Sequence, residues 1–507
     1  MLQSKLADLE ERLGRNPRQS SMPPSAEGVA KPPAPSRAER RAAARKQGKQ
    51  PGSPGKHLAQ GAAPDQVISH APPSCTSCGS DLDDAEVVDT EHRQVFELPE
   101  IRLVVTEHVV ERRRCRCGCT TKADFPSAAT APACYGPGIR ALAAYLAVHQ
   151  HLSMDRMAQL FNDVLSAPVS VGALAQMVTE AADATEPFPD ATRALLRNAD
   201  VVHFDETGGR AAGRLRWVHS ASTSLLTLID CHPKRGRAAM DDLGVIGAMS
   251  GVAIHVGWRP YRHYDVDHAL CNAHHLREFN AVGIDWDQGW ANDLARLPVE
   301  AKYAVEDAQA AGADCLEVGV LHSIRVRYGR LVAKGFAANP APEAGKRSGY
   351  EKKVFNLPVR LDGQRDDVLR FITDFNIPFD NNQAERDIRM VKLQQKISGS
   401  WRTLEGARNS CAIRSYASTL RKHDRNVLEG LRQLFDGQAW LPAPTRIVIR
   451  GQTHASRPQL STLRSVRRSP GEQPRTSSRA QIYTLITPPV SSARIPGLPD
   501  SGVDRRA

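Results

Sequence analysis

At 507 residues, 41% of them hydrophobic, the chain is long enough for several domains and a well-buried core. No apolar run approaches the roughly 20 residues that span a bilayer, the best candidate being Ala141–Val148, and nothing reads as a signal peptide; membrane and secreted classes are excluded and a cytoplasmic protein is expected. The net charge of +11 sits in two arms, +7 over residues 31–60 and +8 over residues 443–507, so the body is slightly acidic. Basic arms on such a body suit a polyanion, because tethered cations release counterions from DNA, although Pro/Ser-rich basic segments are also simply well solvated.

The N-terminus places Leu2, Leu6, Leu9 and Leu13 at a/d spacing, a leucine-zipper stub over residues 1–15. Residues 16–72 read as a basic disordered linker rich in Pro, Ala, Lys and Arg. Residues 73–126 carry Cys75-x₂-Cys78 and Cys115-x-Cys117, two thiol pairs around a β-branched stretch, QVFELPEIRLVVTEHVV, that reads as two strands. Ten cysteines without a secretion signal imply a reducing compartment, where close thiols mean metal. The spacing predicts a tetrahedral Zn²⁺ ribbon, with Cys119 an alternative to Cys115 or Cys117. Arg114, Arg116 and Lys122 beside it can touch phosphates. Cys134, Cys231, Cys315 and Cys411 lack partners at ligand spacing and read as buried small side chains.

Residues 127–190 read as helical. MDRMAQLFNDVL, the break SAPVS and VGALAQMVTEAADA suggest a helix-turn-helix, with Ser170 capping the second helix. From residue 199 the period changes. ADVVHFDET, RLRWVHSAST and LLTLID read as strands, GRAAMDDLGVIG as a helix and GVAIHVGW as a fourth strand. That β-β-β-α-β order opens a ribonuclease-H-like domain, taken here as residues 195–442 with a helical insertion at about 268–370. The fold class is therefore multidomain α/β: an RNase-H-like core with a helical insertion, preceded by the zinc ribbon and the helix-turn-helix region. The tail, 443–507, has no apolar pattern and reads as disordered, either a DNA-binding arm or read-through past a lost stop.

Asp205 stands where an apolar strand emerges, as a rigidly held metal ligand must. Glu385, in FDNNQAERDIR, falls in the first turn of a helix that Asn381 or Asn382 can cap. Carboxylates from distant segments are what two-metal phosphoryl transfer needs. Arg386, Arg389, Lys392, Lys396 and Arg402 follow closely and are candidates to grip a DNA strand. Cys271 and His274 share a helical face at i, i+3; metal binding is open to them, with packing and hydrogen bonding near the site the favoured role.

FDET, GVAIHVGW, HALCNAHHLREF, IPFDNNQAERDIRM, QKISGSWRT and EGARNSCAIRSYASTLRK occur in the order and spacing of insertion sequence 66 transposases. RNPRQSSMPPS and GKQPGSPGKHL resemble the same family's N-terminal linker, so the resemblance covers about residues 10–442. It implies a DDE core with Asp205 as its first Asp and Glu385 as its Glu, Mg²⁺ or Mn²⁺ in the catalytic site, structural Zn²⁺ in the knuckles, and a helix-turn-helix that recognises transposon ends. It further implies double-stranded DNA as substrate, at transposon ends and target, a homo-oligomer, small accessory proteins of the same element, and a bacterial, nucleoid-associated location.

One position departs from the family. Where its fourth strand reads like GVLVHDGW, this chain has Val256 in place of the second catalytic Asp. Valine offers a metal nothing, and alternation points His255 to the opposite face. Asp265 and Asp267 are the neighbours that could fold back as substitutes. The expectation is a transposase that is inactive or impaired; the alternative is a DNA-binding derivative acting as repressor or dominant-negative partner.

Overall fold

The computed structural model describes residues 58–126, 128–341 and 349–443, all within one unit that ends at Thr445. The leucine stub, the linker up to residue 57 and the tail from residue 444 lie outside the described residues.

The cysteine-bearing stretch forms one small hairpin, β1 (Arg112–Arg114) antiparallel to β2 (Thr120–Lys122), whose turn carries the second group of thiols. Residues 94–110 are assigned no strand. Their β-branched residues have no sheet face to bury: Val95, Val104 and Val105 are 89%, 88% and 90% exposed.

Four helices follow: α1 (Pro137–Ala144), α2 (Met154–Leu165), α3 (Val171–Ala184) and α4 (Pro187–Arg197). Ser166 takes a left-handed conformation after α2, and the Ser170 hydroxyl accepts the Ala173 N–H at 3.1 Å, the cap read from the sequence. Phe161, Leu174 and Phe188 are buried in a core completed from the far end of the chain, by Tyr416 and Leu420 of α12 (Leu404–Lys422) and Leu431 of α13 (Val427–Phe435). The Phe188 and Tyr416 rings meet edge to face at 5.2 Å. The helical region thus shares its core with the segment that closes the fold.

The centre is a five-stranded mixed sheet: β3 (Val201–Ala211), β4 (Arg214–Ser222), β5 (Thr227–His232), β6 (Val252–His255) and β7 (Asp267–Leu270). Its order is β5-β4-β3-β6-β7. β3, β4 and β5 are antiparallel neighbours; β6 and β7 run parallel to β3. Short α5 (Arg237–Leu243) lies between β5 and β6. Gly251 opens β6 because a Cβ there would lie 2.2 Å from the Ala199 carbonyl. The four strands read from the sequence are present; β7, four residues long, falls where the helical insertion was expected to begin.

The insertion is helical: α6 (Asn272–Asp285), α7 (Gly289–Ala310), α8 (Val318–Ala338), α9 (Gly349–Gly363) and α10 (Arg365–Val368), around Phe279, Leu294, Tyr328 and Leu361. α11 (Asn382–Ser398) then returns to the sheet. One sheet face packs Val202, Phe204 and Ala253 against α5; the other packs Val218, Ile229 and Cys231 against Ile388 and Val391 of α11 and Ala407 and Cys411 of α12. Cys231 and Cys411 are buried as expected, whereas Cys134 and Cys315 are exposed. No helix among the described residues is long and apolar enough to cross a membrane.

Many histidines are folded in as neutral groups. Burial, aided by neighbouring cations, lowers His149 and His219 to about 4 and His275 to about 3, from 6.5 when free. It also lowers His203, His255 and His268. As pH falls the unfolded chain takes up these protons first, so their stabilisation is complete above pH 6.5 and is lost towards pH 4. Asp205, Asp230 and Glu278, raised mainly by burial, pull the other way but are fewer. His219 alone carries up to about 3 kcal/mol. Thermal melts should show Tm falling steadily between pH 6.5 and 4.5, with a shallower slope in His219→Gln; a Tm flat across that range would contradict this.

Candidate active site

β3 sets the site. Its odd-numbered side chains face α11: His203 Nδ1 lies 2.9 Å from Asn381 Oδ1, and a Cβ on Gly209 would press on Gln395 and Trp401. Asp205 shares that face by the two-residue period. The structure brings it near Glu385, in the first turn of α11. Burial, then the Glu206 and Glu385 carboxylates, push Asp205 up to about 8; the Glu206 amide, at 2.9 Å, and Arg235 hold it back. A carboxyl so crowded gains by a nearby cation.

Asn381 occupies the N-cap position of α11, but its side chain makes no cap. It clasps the strand instead, donating from Nδ2 to the Phe204 carbonyl at 2.8 Å, while its backbone N–H donates to Cys271 Sγ at 3.2 Å. This one buried amide ties α11 to β3 and to the end of β7, and so sets where Glu385 stands.

The parallel register runs Val201↔Val252 to His203↔Ile254, and His255↔Leu270 on the other side. Carried two residues past its last pair with β3, and one past its last pair with β7, it aligns Asp205, Val256 and Cys271 in one row. Val256 therefore falls beside Asp205, where a second carboxylate would face the same site. His255 points away: its ring stacks on Tyr261 at 4.2 Å, with Nε2 3.0 Å from His268 Nδ1, and its Nδ1 accepts the Gly257 N–H at 2.9 Å. Asp267 cannot substitute. It pairs with Val252, four residues or about 13 Å up-strand from the row, and binds Arg370 at 3.2 Å. Asp265 precedes it on exposed chain.

Glu206, next to Asp205, escaped the sequence reading. It faces the other side of the sheet, where Arg235 binds it at 2.7 Å and the Tyr261 hydroxyl donates to it at 2.9 Å. Arg235 is itself held between the Trp217 and Trp258 rings, 4.6 and 4.1 Å from its guanidinium carbon. The adjacent acids in FDET were the available sign, but nothing in the sequence says which partners each would meet.

Of the five basic candidates, Arg386, Arg389, Lys396 and Arg402 are exposed. Lys392 is half-buried and donates to the Gly208 carbonyl at 2.9 Å, so it braces α11 on β3 and is not free to grip DNA.

Beside Glu385 lie Cys271 and His274. Cys271 Sγ, His274 Nδ1 and a Glu385 oxygen all fall within 4.8 Å of one another. Glu385 Oε1 is 3.3 Å from His274 Nδ1, yet this buried oxygen makes no hydrogen bond among the described residues. Arg277 approaches Glu385 Oε2 at 3.7 Å and His274 Nε2 at 3.2 Å. Burial pushes the Cys271 thiol up to about 11.

In the cysteine-bearing stretch each knuckle closes on a glycine. The Gly79 and Gly118 amides, at positive φ, donate to the Cys75 and Cys115 carbonyls at 2.9 Å each. Contacts from Ser80 and the neighbouring thiol Cys75 lower Cys78 to about 7, and contacts from Cys119 and Cys115 lower Cys117. Turns that turn amides and neighbouring thiols onto a sulfur favour the thiolate that Zn²⁺ requires.

Three known families match. Residues 132–409 match the Transposase IS66 family, residues 72–118 the zinc-finger binding domain of transposase IS66, and residues 1–59 a family of unknown function. The zinc-finger match spans Cys75, Cys78, Cys115 and Cys117 and supports structural zinc in this domain; Cys119 lies just beyond it. No curated protein matches the chain. With more than half its length covered by the transposase domain and its zinc finger immediately upstream, the chain belongs to the IS66 family of transposases.

Proposed function

We propose that the sheet and α11 form an RNase-H-like transposase core, and that Val256 leaves its phosphoryl-transfer site one carboxylate short. The order β5-β4-β3-β6-β7, with three antiparallel strands followed by two parallel ones, supports the fold. The placement of Asp205 and Glu385 on facing elements supports the site. The family's reaction cuts transposon ends and joins their 3′-hydroxyls to target DNA, using hard cations held by three carboxylates. This chain supplies two, and the donors nearest Glu385 are a thiol and an imidazole, which suit Mg²⁺ poorly. The donor set present does not fit a pair of hard cations.

The row Asp205–Val256–Cys271 carries this reading. It equally favours a second one for present activity: a DNA-binding derivative that represses transposition or poisons oligomers of an intact copy. The test is an end-nicking and end-joining assay with Mg²⁺ or Mn²⁺ on DNA carrying the element's termini. The unaltered chain should bind without joining; efficient joining would overturn the proposal.

DNA contact is proposed through the exposed Arg386, Arg389, Lys396 and Arg402. Binding affinity should fall linearly with log salt, and removing any one of these should lower the slope by about 1. Lys392→Ala should leave the slope unchanged and lower Tm, since its half-buried ammonium is held on the Gly208 carbonyl and not offered to a phosphate. The helix pair α2–α3 is the weaker candidate for end recognition. α3 carries Glu180 and Asp183 and no basic residue, so phosphate contacts there fall to Arg156 of α2. Oligomerisation and accessory proteins remain part of the proposal through the family alone.

A further inference from the structure

We infer that Cys271, His274 and Glu385 form a three-ligand site for a soft or borderline divalent cation, of which Zn²⁺ is the natural example and Co²⁺ the spectroscopic probe. The spacing is already close to a metal's. Around a tetrahedral ion with metal–sulfur and metal–nitrogen bonds of about 2.3 and 2.0 Å, neighbouring ligand atoms stand roughly 3.3–3.6 Å apart. Cys271 Sγ and His274 Nδ1 are 3.2 Å apart, and His274 Nδ1 and Glu385 Oε1 3.3 Å. All three ligand atoms lie within 4.8 Å of one another.

The surroundings are built for holding these atoms. Cys271 ends β7 and starts α6, so the Cys-x₂-His pair sits on the first turn of one helix, while Glu385 comes from the first turn of another. Asn381 pins the two turns together through its N–H to Cys271 Sγ. Glu385 Oε1 is buried and makes no hydrogen bond among the described residues, which leaves a lone pair aimed into the cluster. Three protein ligands leave a fourth position, the arrangement of metal sites that exchange water or bind a further group.

The ligand types select the ion. A thiolate and an imidazole favour Zn²⁺, Co²⁺ or Mn²⁺ over Mg²⁺, with the thiolate tilting the choice to the first two. A cation there also engages Glu385 with soft partners at the point where Val256 withholds the hard one. In the metal-free form Arg277 donates to His274 Nε2, so the ring proton sits on Nδ1. Metal on Nδ1 moves that proton to Nε2 and releases Arg277, which is half exposed, to swing towards solvent or DNA.

The test is Co²⁺ titration of the full-length, metal-free chain, followed by thiolate-to-cobalt absorption and by bound-metal stoichiometry. The ribbon contributes one ion, so the expected count is two per chain. A chain carrying Cys75→Ser, Cys78→Ser, Cys115→Ser, Cys117→Ser and Cys119→Ser should still bind one Co²⁺, with the weaker charge-transfer band of a single thiolate. Adding Cys271→Ser should abolish that band, and Glu385→Gln should weaken the binding at least tenfold. A large excess of Mg²⁺ should not displace the ion. If the ribbon-deficient chain binds no Co²⁺, or binds it with Cys271 and Glu385 substituted, the site does not exist. Metal binding is read without DNA, so its failure is distinguishable from failure of the proposed end-joining defect.

Discussion

Val256→Asp should turn a chain that binds transposon-end DNA without cutting it into one that nicks and joins those ends. A missing metal-binding carboxylate removes several kcal/mol of transition-state stabilisation, so the gain should reach about three orders of magnitude. The geometry favours success. Val256 is only half-buried, aspartate is close to it in volume, and the row places the new carboxylate beside Asp205. A second readout separates restored chemistry from a merely tolerated substitution. Asp205 is already pushed up to about 8 by burial and then by the neighbouring Glu206 and Glu385 carboxylates, and a further acid should add to that crowding. Without divalent metal the variant should therefore melt below the parent at pH 8, and Mg²⁺ or Mn²⁺ should raise its Tm well above any effect on the parent. A variant that neither joins DNA nor gains Mg²⁺-dependent stability would show that the catalytic row is misassigned.

Zinc removal should have the other large effect, confined to one end of the described chain. Between residues 73 and 126 there is almost nothing else to hold a structure. The hairpin has three residues per strand, and Val88, Val95, Val104 and Val105 are all at least 88% exposed. Structural Zn²⁺ in small modules contributes on the order of 10 kcal/mol, more than such a hairpin can replace. A strong chelator should erase amide protection over residues 112–122 and open that hairpin to protease. The core around Phe161, Tyr416 and Leu431 should melt at its former temperature. Full protection of the hairpin after chelation would refute this. Cys75→Ser should reproduce the chelated state.

Much of this was legible in the sequence because it is local. Ser170 precedes a helix it caps and Glu385 opens one, and each depends on a few neighbouring residues; Asp205, read as standing where its strand emerges, instead sits within β3, which runs on to Ala211. The family words fixed Val256 as the odd position. What was not legible depends on partners far along the chain. Lys392 reads as one more cation in a basic helix until the Gly208 carbonyl, 184 residues away, claims it. Asn381 reads as a cap until His203 and Phe204 take its side chain. β7 is too short to show a period, and the valines of 94–110 read as strands because β-propensity measures a surface to pack on, which that stretch lacks.

The core that joins α1–α4 to α12 and α13 also bears on how such a gene can decay. The first helices made lack part of their core until Tyr416, Leu420 and Leu431 emerge from the ribosome. A stop or frameshift anywhere before α12 therefore spoils the beginning of the product as well as its end, and yields no half-length protein able to persist. A single substitution of the kind proposed at Val256 lies outside that shared core. Inheritance would then retain full-length chains with a silent centre more readily than shortened ones, and a full-length silent chain is the form that can still occupy the ends of an intact relative.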